Sequence, residues 1–368
     1  MTFVGTRDDA ELLLSRSLSR HIGYTSGAYD LERIFSTLEP FSTQTSVYKE
    51  ELVQYLAEPK SEKYRREILS FATSMGLLEV VSSREAGLVR LAATELGRSL
   101  LGVRATGDMQ FYNYFSIHVV LRADADFLVP ILLYFRSNDN IKLLPFFAAF
   151  QAELRQRRLE WLLQTFPEKI LMDRIVERLT WLNISKSALG SYKAELPTMN
   201  TVRHHATPRQ GWLEQLGMLD RDKRTLTVLG SDVLQALTPD GGFFWLAPPE
   251  EALEALRIAP TSRPAGARED TLNFSVPSKA ASESELNRLV EDTSSIMIES
   301  YGSAKLIHAS QASLQIAVQY INYRSYVDRR KYDVEDVISC IFREKRGILE
   351  RYSAHKGSIG FYRAVNNR

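Results

Sequence analysis

The sequence has a single cysteine, Cys340, among 368 residues. An intramolecular disulfide is therefore impossible, and a thiolate metal site is not expected. Such sparing use of cysteine fits a reducing compartment, so a cytoplasmic location is expected. The chain also lacks every familiar catalytic signature. It has no G-x-S-x-G, no H-E-x-x-H, no phosphate-loop motif and no glycine-rich dinucleotide fingerprint. The acids and lysine of "EDTSSIMIESYGSAKLI" have the wrong spacing for a nuclease metal site, and "SVYKEEL" fails the same test. Cys340 sits among apolar positions at helical spacing and reads as core, not as a nucleophile. No catalytic residue, cofactor or metal is expected, and a non-enzymatic role is the leading reading.

Long hydrophobic runs are missing too. "DFLVPILLYF" and "LLPFFAAF" are too short to span a bilayer and are separated by "RSNDNIK". They read as two buried helices with Pro130 and Pro145 near their starts. The opening "MTFVGTRDDAELLLSRSL" turns acidic early and has no basic-then-apolar signal region, so no membrane partner is expected. Charge of one sign is also lacking: 46 Lys and Arg face 45 Asp and Glu, for a net charge of +1. Any case for nucleic acid rests on local clusters.

What the chain does contain is a repeat. Tyr64–Gly102, "YRREILSFATSMGLLEVVSSREAGLVRLAATELGRSLLG", and Thr207–Leu237, "TPRQGWLEQLGMLDRDKRTLTVLGSDVLQAL", share one order of parts. An amphipathic helix ends in a Gly-Leu-Leu or Gly-Met-Leu step. A short polar turn follows between two apolar runs, and Thr or Val, Leu and Gly lead into another helix. In the first copy, helices are expected from Asp30, at "TSVYKEELVQYL" and from about Ser61, with Gly76 as the C-terminal stop. "LLEVV" and "GLVRLAA" form a hairpin around "SSREAG", and Thr94 caps the closing helix. In the second copy, Thr207 is expected to cap a helix with Pro208 in its first turn.

Three helices, a hairpin and a closing helix resemble a winged helix-turn-helix domain, a likeness carried by "SMGLLEVV…LAATELGRSL" over roughly 70 residues. The expected fold is mainly α with small β-hairpin wings. It comprises an N-terminal winged-helix domain (1–105), a helical connector (106–169) and a second winged-helix domain (170–250). An exposed linker (251–284) and a C-terminal helical domain (285–368) follow. In the last, Asp333 caps "VEDVISCIFREKRGILERY". Such tandem modules resemble the recognition halves of some type IIS restriction enzymes and the accessory subunits of chromosome-structuring complexes.

The resemblance directs attention to the cations of each module. "KSEKYRREI" carries Lys60, Lys63, Arg65 and Arg66, and the wing tip carries Arg84. In DNA-binding winged helices the helix enters the major groove, where Arg pairs with guanine and Lys meets phosphate. "TVRHHATPRQGW" places Arg203, His204 and Arg209 around the expected helix start, a suitable anion site. The second wing adds Arg221, Lys223 and Arg224. The competing reading of the first-module cations is a solvated face, partly neutralised by Glu62 and Glu67, and that of the 203–209 cluster is a satisfied structural cluster beneath the wing. "QYINYRSYVDRRKYD" alternates Tyr323, Arg324, Tyr326, Arg329, Arg330 and Lys331, which suits either nucleic acid or a protein partner. From Glu285 onward 13 Lys or Arg face 10 Asp or Glu, an excess too small to decide between them.

The expected function is a winged-helix DNA-binding subunit of a larger microbial DNA-processing or defence complex. It would hold duplex DNA and dock a catalytic partner such as a nuclease or an ATPase. A protein-assembly adaptor is the alternative, a divergent nuclease the least supported, and a homo-oligomer is compatible with each.

Overall fold

The computed structural model describes residues 30–56, 61–81, 89–137, 142–150, 184–186, 192–194, 198–237, 279–301, 306–308, 311–342, 349–352 and 361–364. These are mostly helical, with small sheets that are antiparallel apart from one two-residue pairing. The chain divides into two compact units. One joins Leu31–Arg122 to Pro264–Arg368, and the other joins Met1–Asp30 to Ala123–Arg263.

In the first unit, α1 (Leu31–Ser36) starts directly after Asp30 and buries Leu31, Ile34 and Phe35 at helical spacing. A short 3-10 turn, Glu39–Ser42, leads to β1 (Val47–Tyr48) and α2 (Lys49–Tyr55). Ser61 caps α3 (Glu62–Ser74), its hydroxyl accepting from the Tyr64 N–H, and α3 buries Ile68, Leu69, Phe71 and Ala72. Gly76 stops the helix at φ 71°, a conformation glycine adopts without steric cost. β2 (Leu78–Val81) and β3 (Arg90–Ala93) follow, giving a sheet of order β1-β3-β2 with Val47 and Val80 both opposite Leu91. Thr94 then caps α4 (Glu95–Ala105).

α5 (Met109–Ser137) carries the chain from one unit into the other, with non-helical backbone at Asp124 (φ −143°, ψ 22°). Pro130, expected near a helix start, lies inside this helix six residues after the break at Asp124. Pro145 is the third residue of the helical stretch 143–150, as expected.

In the second unit, β4 (Ile184–Lys186) pairs with β5 (Tyr192–Ala194), and α6 runs Met199–Gln215. Its cap is Thr198, whose hydroxyl oxygen accepts from the Thr201 N–H. The expected start at Thr207 and Pro208 is thereby corrected: both lie mid-helix, because Val202, His205, Ala206 and Arg209 extend the buried face toward the N-terminus. β6 (Leu219–Asp220) and β7 (Thr225–Leu226) form a hairpin, and α7 is Val228–Leu237.

The C-terminal segment adds β8 (Lys279–Ala280), α8 (Glu283–Tyr301), β9 (Leu306–His308) and α9 (Gln311–Asp328). β10 (Arg330–Lys331), α10 (Val334–Ile341), β11 (Leu349–Tyr352) and β12 (Phe361–Ala364) complete it. β8 and β10 pair in parallel, and β9, β12 and β11 form an antiparallel sheet. Asp333 caps α10 as expected, accepting from the Asp336 N–H, but the helix expected to run through 352 ends at Ile341, and Leu349–Tyr352 instead pair as β11 with β12.

The segment 285–368, expected as a C-terminal helical domain, belongs to the same compact unit as Leu31–Arg122. α8 and α9 pack on each other and on α4, within the unit that holds the first module. The physical cause is α9 itself: Ile316, Ala317, Val318, Tyr320, Ile321 and Tyr323 are buried around much of its circumference. A helix apolar on several sides requires cover on several sides. Gly102 lets α4 approach closely, since a Cβ there would stand 3.0 Å from Ser300 and 3.3 Å from Ile316.

Candidate nucleic-acid interface

The repeat seen in the sequence is a repeat of hydrogen bonds. In the first module the Met75–Gly76 helix end is closed by the Gly76 N–H on the Thr73 carbonyl (2.9 Å) and the Leu77 N–H on Ala72 (2.9 Å). The Thr94 hydroxyl donates to the Gly76 carbonyl (2.6 Å) and accepts from the Gly97 N–H (3.1 Å), while the Thr94 N–H donates to Leu77 (3.0 Å). In the second module Gly217 has φ 70° and donates to Glu214 (3.0 Å), and Met218 donates to Leu213 (2.8 Å). The Thr227 hydroxyl donates to Gly217 (2.7 Å) and accepts from Gly230 (3.0 Å), and the Thr227 N–H donates to Met218 (3.1 Å). One threonine thus caps the following helix and ties it to the end of the preceding one. Gly97 and Gly230 are needed because a Cβ at either would overlap the carbonyl oxygen of Leu77 or Met218.

The shared clasp fixes a common register for α3 and α6. Five residues before Gly76 and Gly217 stand Phe71 and Trp212, both buried. Eight residues before stand Ile68 and Arg209. Arg209 therefore occupies a core position and is fully buried, which agrees with the reading of this cluster as structural and not with Arg209 as a DNA contact. Its Nη2 donates to Asp124 Oδ1 (2.8 Å), its Nε donates to the other carboxylate oxygen, and its Nη1 donates to the His205 carbonyl (2.8 Å). The guanidinium lies 4.5 Å from the Phe127 ring centroid, and His205 stacks on the same ring at 5.2 Å. The helix-start anion site expected at 203–209 dissolves for the same reason, since these residues lie inside α6.

Arg203 remains exposed on α6, and His204 is half-buried beside it. From Met199 to Leu213 the helix contains no Asp or Glu. Arg221, Lys223 and Arg224 are all exposed on the hairpin turn, Arg224 with φ 52°. Lys223 approaches Asp220 at 3.2 Å, and the backbone N–H of Lys223, more than its ammonium, lowers the Asp220 pKa. Among the described residues Arg203, Arg221 and Arg224 make no ion pair.

The first module differs. Lys63 is exposed and Arg65 half-buried. Arg66 forks onto both Glu50 oxygens (3.0 and 2.7 Å) and donates through Nε to Glu62 (2.9 Å). These bonds, the Glu50 pair first, raise its pKa. Arg90 covers the Tyr48 ring at 4.7 Å. Val80, Val81 and Val89 are 63%, 37% and 42% exposed along the sheet that ends in edge strand β2. Lys60 and Arg84 lie outside the described residues.

Of the C-terminal run of tyrosines and cations, Tyr323 is buried and Arg324, Tyr326 and Arg330 are half-buried. Tyr323 is buried against Phe111 and Tyr114, donates to Gln110 (3.2 Å), and has its pKa pushed up to about 12 by that burial. Arg324 holds Asp328 and approaches Asp292 at 3.7 Å. Tyr326 faces Tyr114 and carries Arg329 over its ring at 4.8 Å. Arg330 donates to Glu285 (2.9 Å), tying β10 to α8. Arg329 and Lys331 are exposed.

Among the described residues no three His, Cys, Asp or Glu side chains gather as a metal site, and no helix is long and apolar enough to cross a membrane. No protein-family model, curated protein or solved structure matches the chain.

Proposed function

We propose that the chain is a non-enzymatic DNA-binding subunit of a larger DNA-processing or defence complex, built on two winged-helix modules. The observation that carries this reading is the second module. A helix without acids over Met199–Leu213 exposes Arg203, and the hairpin clasped to its end exposes Arg221, Lys223 and Arg224. A helix followed by a cationic hairpin is the arrangement with which winged helices hold a duplex, the helix facing bases and the hairpin facing phosphate. The near-zero net charge of the chain makes this local cluster the basis of binding.

Titration of a fluorescent random duplex with the purified full chain at low and moderate salt tests the reading. Binding that weakens steeply as salt rises is the expected result. Absence of binding at low salt would overturn it. A second reading, an adaptor whose modules dock other proteins, is favoured by the exposed Val80, Val81 and Val89 of the first module.

A further inference from the structure

Resting on that reading, we infer that the two modules are not equivalent as DNA contacts, and that duplex DNA is held by the second through Arg203, Arg221 and Arg224. The shared clasp makes the comparison residue by residue. Fourteen residues before each helix-ending glycine, the first module has Glu62 where the second has Arg203. Ten residues before, the first has Arg66 where the second has Thr207. In the first module these two positions close on each other: Arg66 bridges Glu62 at 2.8 Å and Glu50 at 2.7 Å. In the second the partner one turn on is a neutral threonine, and Arg203 makes no ion pair among the described residues.

The hairpins repeat the contrast. The described part of the first presents Val80, Val81 and Val89 to solvent, with Arg90 engaged on Tyr48. The second presents Arg221, Lys223 and Arg224 within four residues, and among the described residues Lys223 alone of the three is bridged. A cation bound to two carboxylates releases no counterion from a duplex unless it first breaks those contacts, whereas an unpaired arginine contributes its full charge. Apolar side chains on a wing also offer nothing to phosphate.

The test is a salt titration of duplex binding by three full-length variants. In Arg203→Ala/Arg221→Ala/Arg224→Ala the slope of log K against log salt is expected to flatten by about 2 to 3, with affinity at low salt reduced at least about tenfold. The matching triple change to Lys keeps the positive charges and is expected to retain most of the slope. Lys63→Ala/Arg66→Ala is expected to stay within about twofold of the wild type. All substituted positions are exposed or half-buried on the surface, and an unchanged urea midpoint establishes that each variant is folded. Equal or greater loss in the Lys63/Arg66 variant would overturn the assignment while leaving DNA binding intact. Unchanged binding by the Ala triple variant would do the same. A wild type that binds no duplex at low salt would overturn the DNA reading, and the assignment with it.

Discussion

Arg209 and Asp124 form a two-pronged ion pair in which both side chains are completely shielded from solvent. Asp124 is the residue at which α5 leaves helical geometry, and Arg209 stands where the first module has Ile68. A pair of charges has thus replaced an apolar position of the repeat. Buried pairs contribute little net stability over apolar side chains of similar volume, because desolvation offsets attraction. Removing one partner is costly, since it leaves the other charged and buried.

Arg209→Met is accordingly expected to destabilise the chain by about 3–5 kcal/mol, and Asp124→Leu by a similar amount. The double variant Arg209→Met/Asp124→Leu is expected to recover most of that loss. Urea unfolding of the four proteins in a double-mutant cycle measures the coupling, and two additive losses would refute it.

The threonine clasp makes a matched prediction in both modules. Thr94→Val and Thr227→Val each remove a hydroxyl that donates to the preceding glycine and accepts from the following one. Each is expected to cost about 1–2 kcal/mol, with Thr→Ser costing less. Urea midpoints of the two modules should respond in parallel, and indifference at either site would separate them.

Glycines within one clasp should respond for different reasons. Gly76 has open space around it and a φ of 71°, so Gly76→Ala costs only backbone conformation, about 1–2 kcal/mol, and Gly76→Asn less. Gly97 has an ordinary helical backbone but no room beside the Leu77 carbonyl, so Gly97→Ala is expected to cost about 3 kcal/mol and Gly97→Asn no less. Thermal denaturation of the four variants distinguishes the two causes by whether asparagine rescues.

Glu285 supplies a pH dependence. Hydrogen bonds from the Ser282 N–H and hydroxyl, then from Arg330, lower its pKa from 4.5 to about 2. A carboxylate depressed on folding contributes stability that is fully present above the unfolded value and is lost as pH falls through the folded one. The urea midpoint should therefore decline between about pH 4.5 and 2, and Glu285→Gln should show a shallower decline over that window. Identical profiles for the two proteins would refute the assignment.

Local rules made much of this architecture readable in advance. Ser61, Thr94 and Asp333 are caps because a short hydroxyl or carboxylate reaches N–H groups two or three residues on. Gly76 ends α3 because only glycine enters that backbone region freely. The repeat was legible for the same reason, since its threonines and glycines act over neighbouring residues. The helix start at Thr207 misled because Pro208 and Thr207 form a good capping sequence, yet the apolar face continues back through Val202 and overrides it.

Other features were decided by residues far apart in the chain. Helical spacing puts Arg209 on the buried face with Val202, Ala206 and Trp212 and Arg203 off it, but only Asp124, 85 positions away, supplies the charge that meets an arginine there. Tyr323 is buried by Phe111 and Tyr114, more than 200 positions earlier, and Arg324 lies half-buried between Asp292 and Asp328. The sequence by itself determined the helices, the clasps and the duplication, which depend on spacing and backbone geometry. Tertiary structure alone decided which cations are exposed, because a charge becomes available or neutralised only through the partners that folding brings to it.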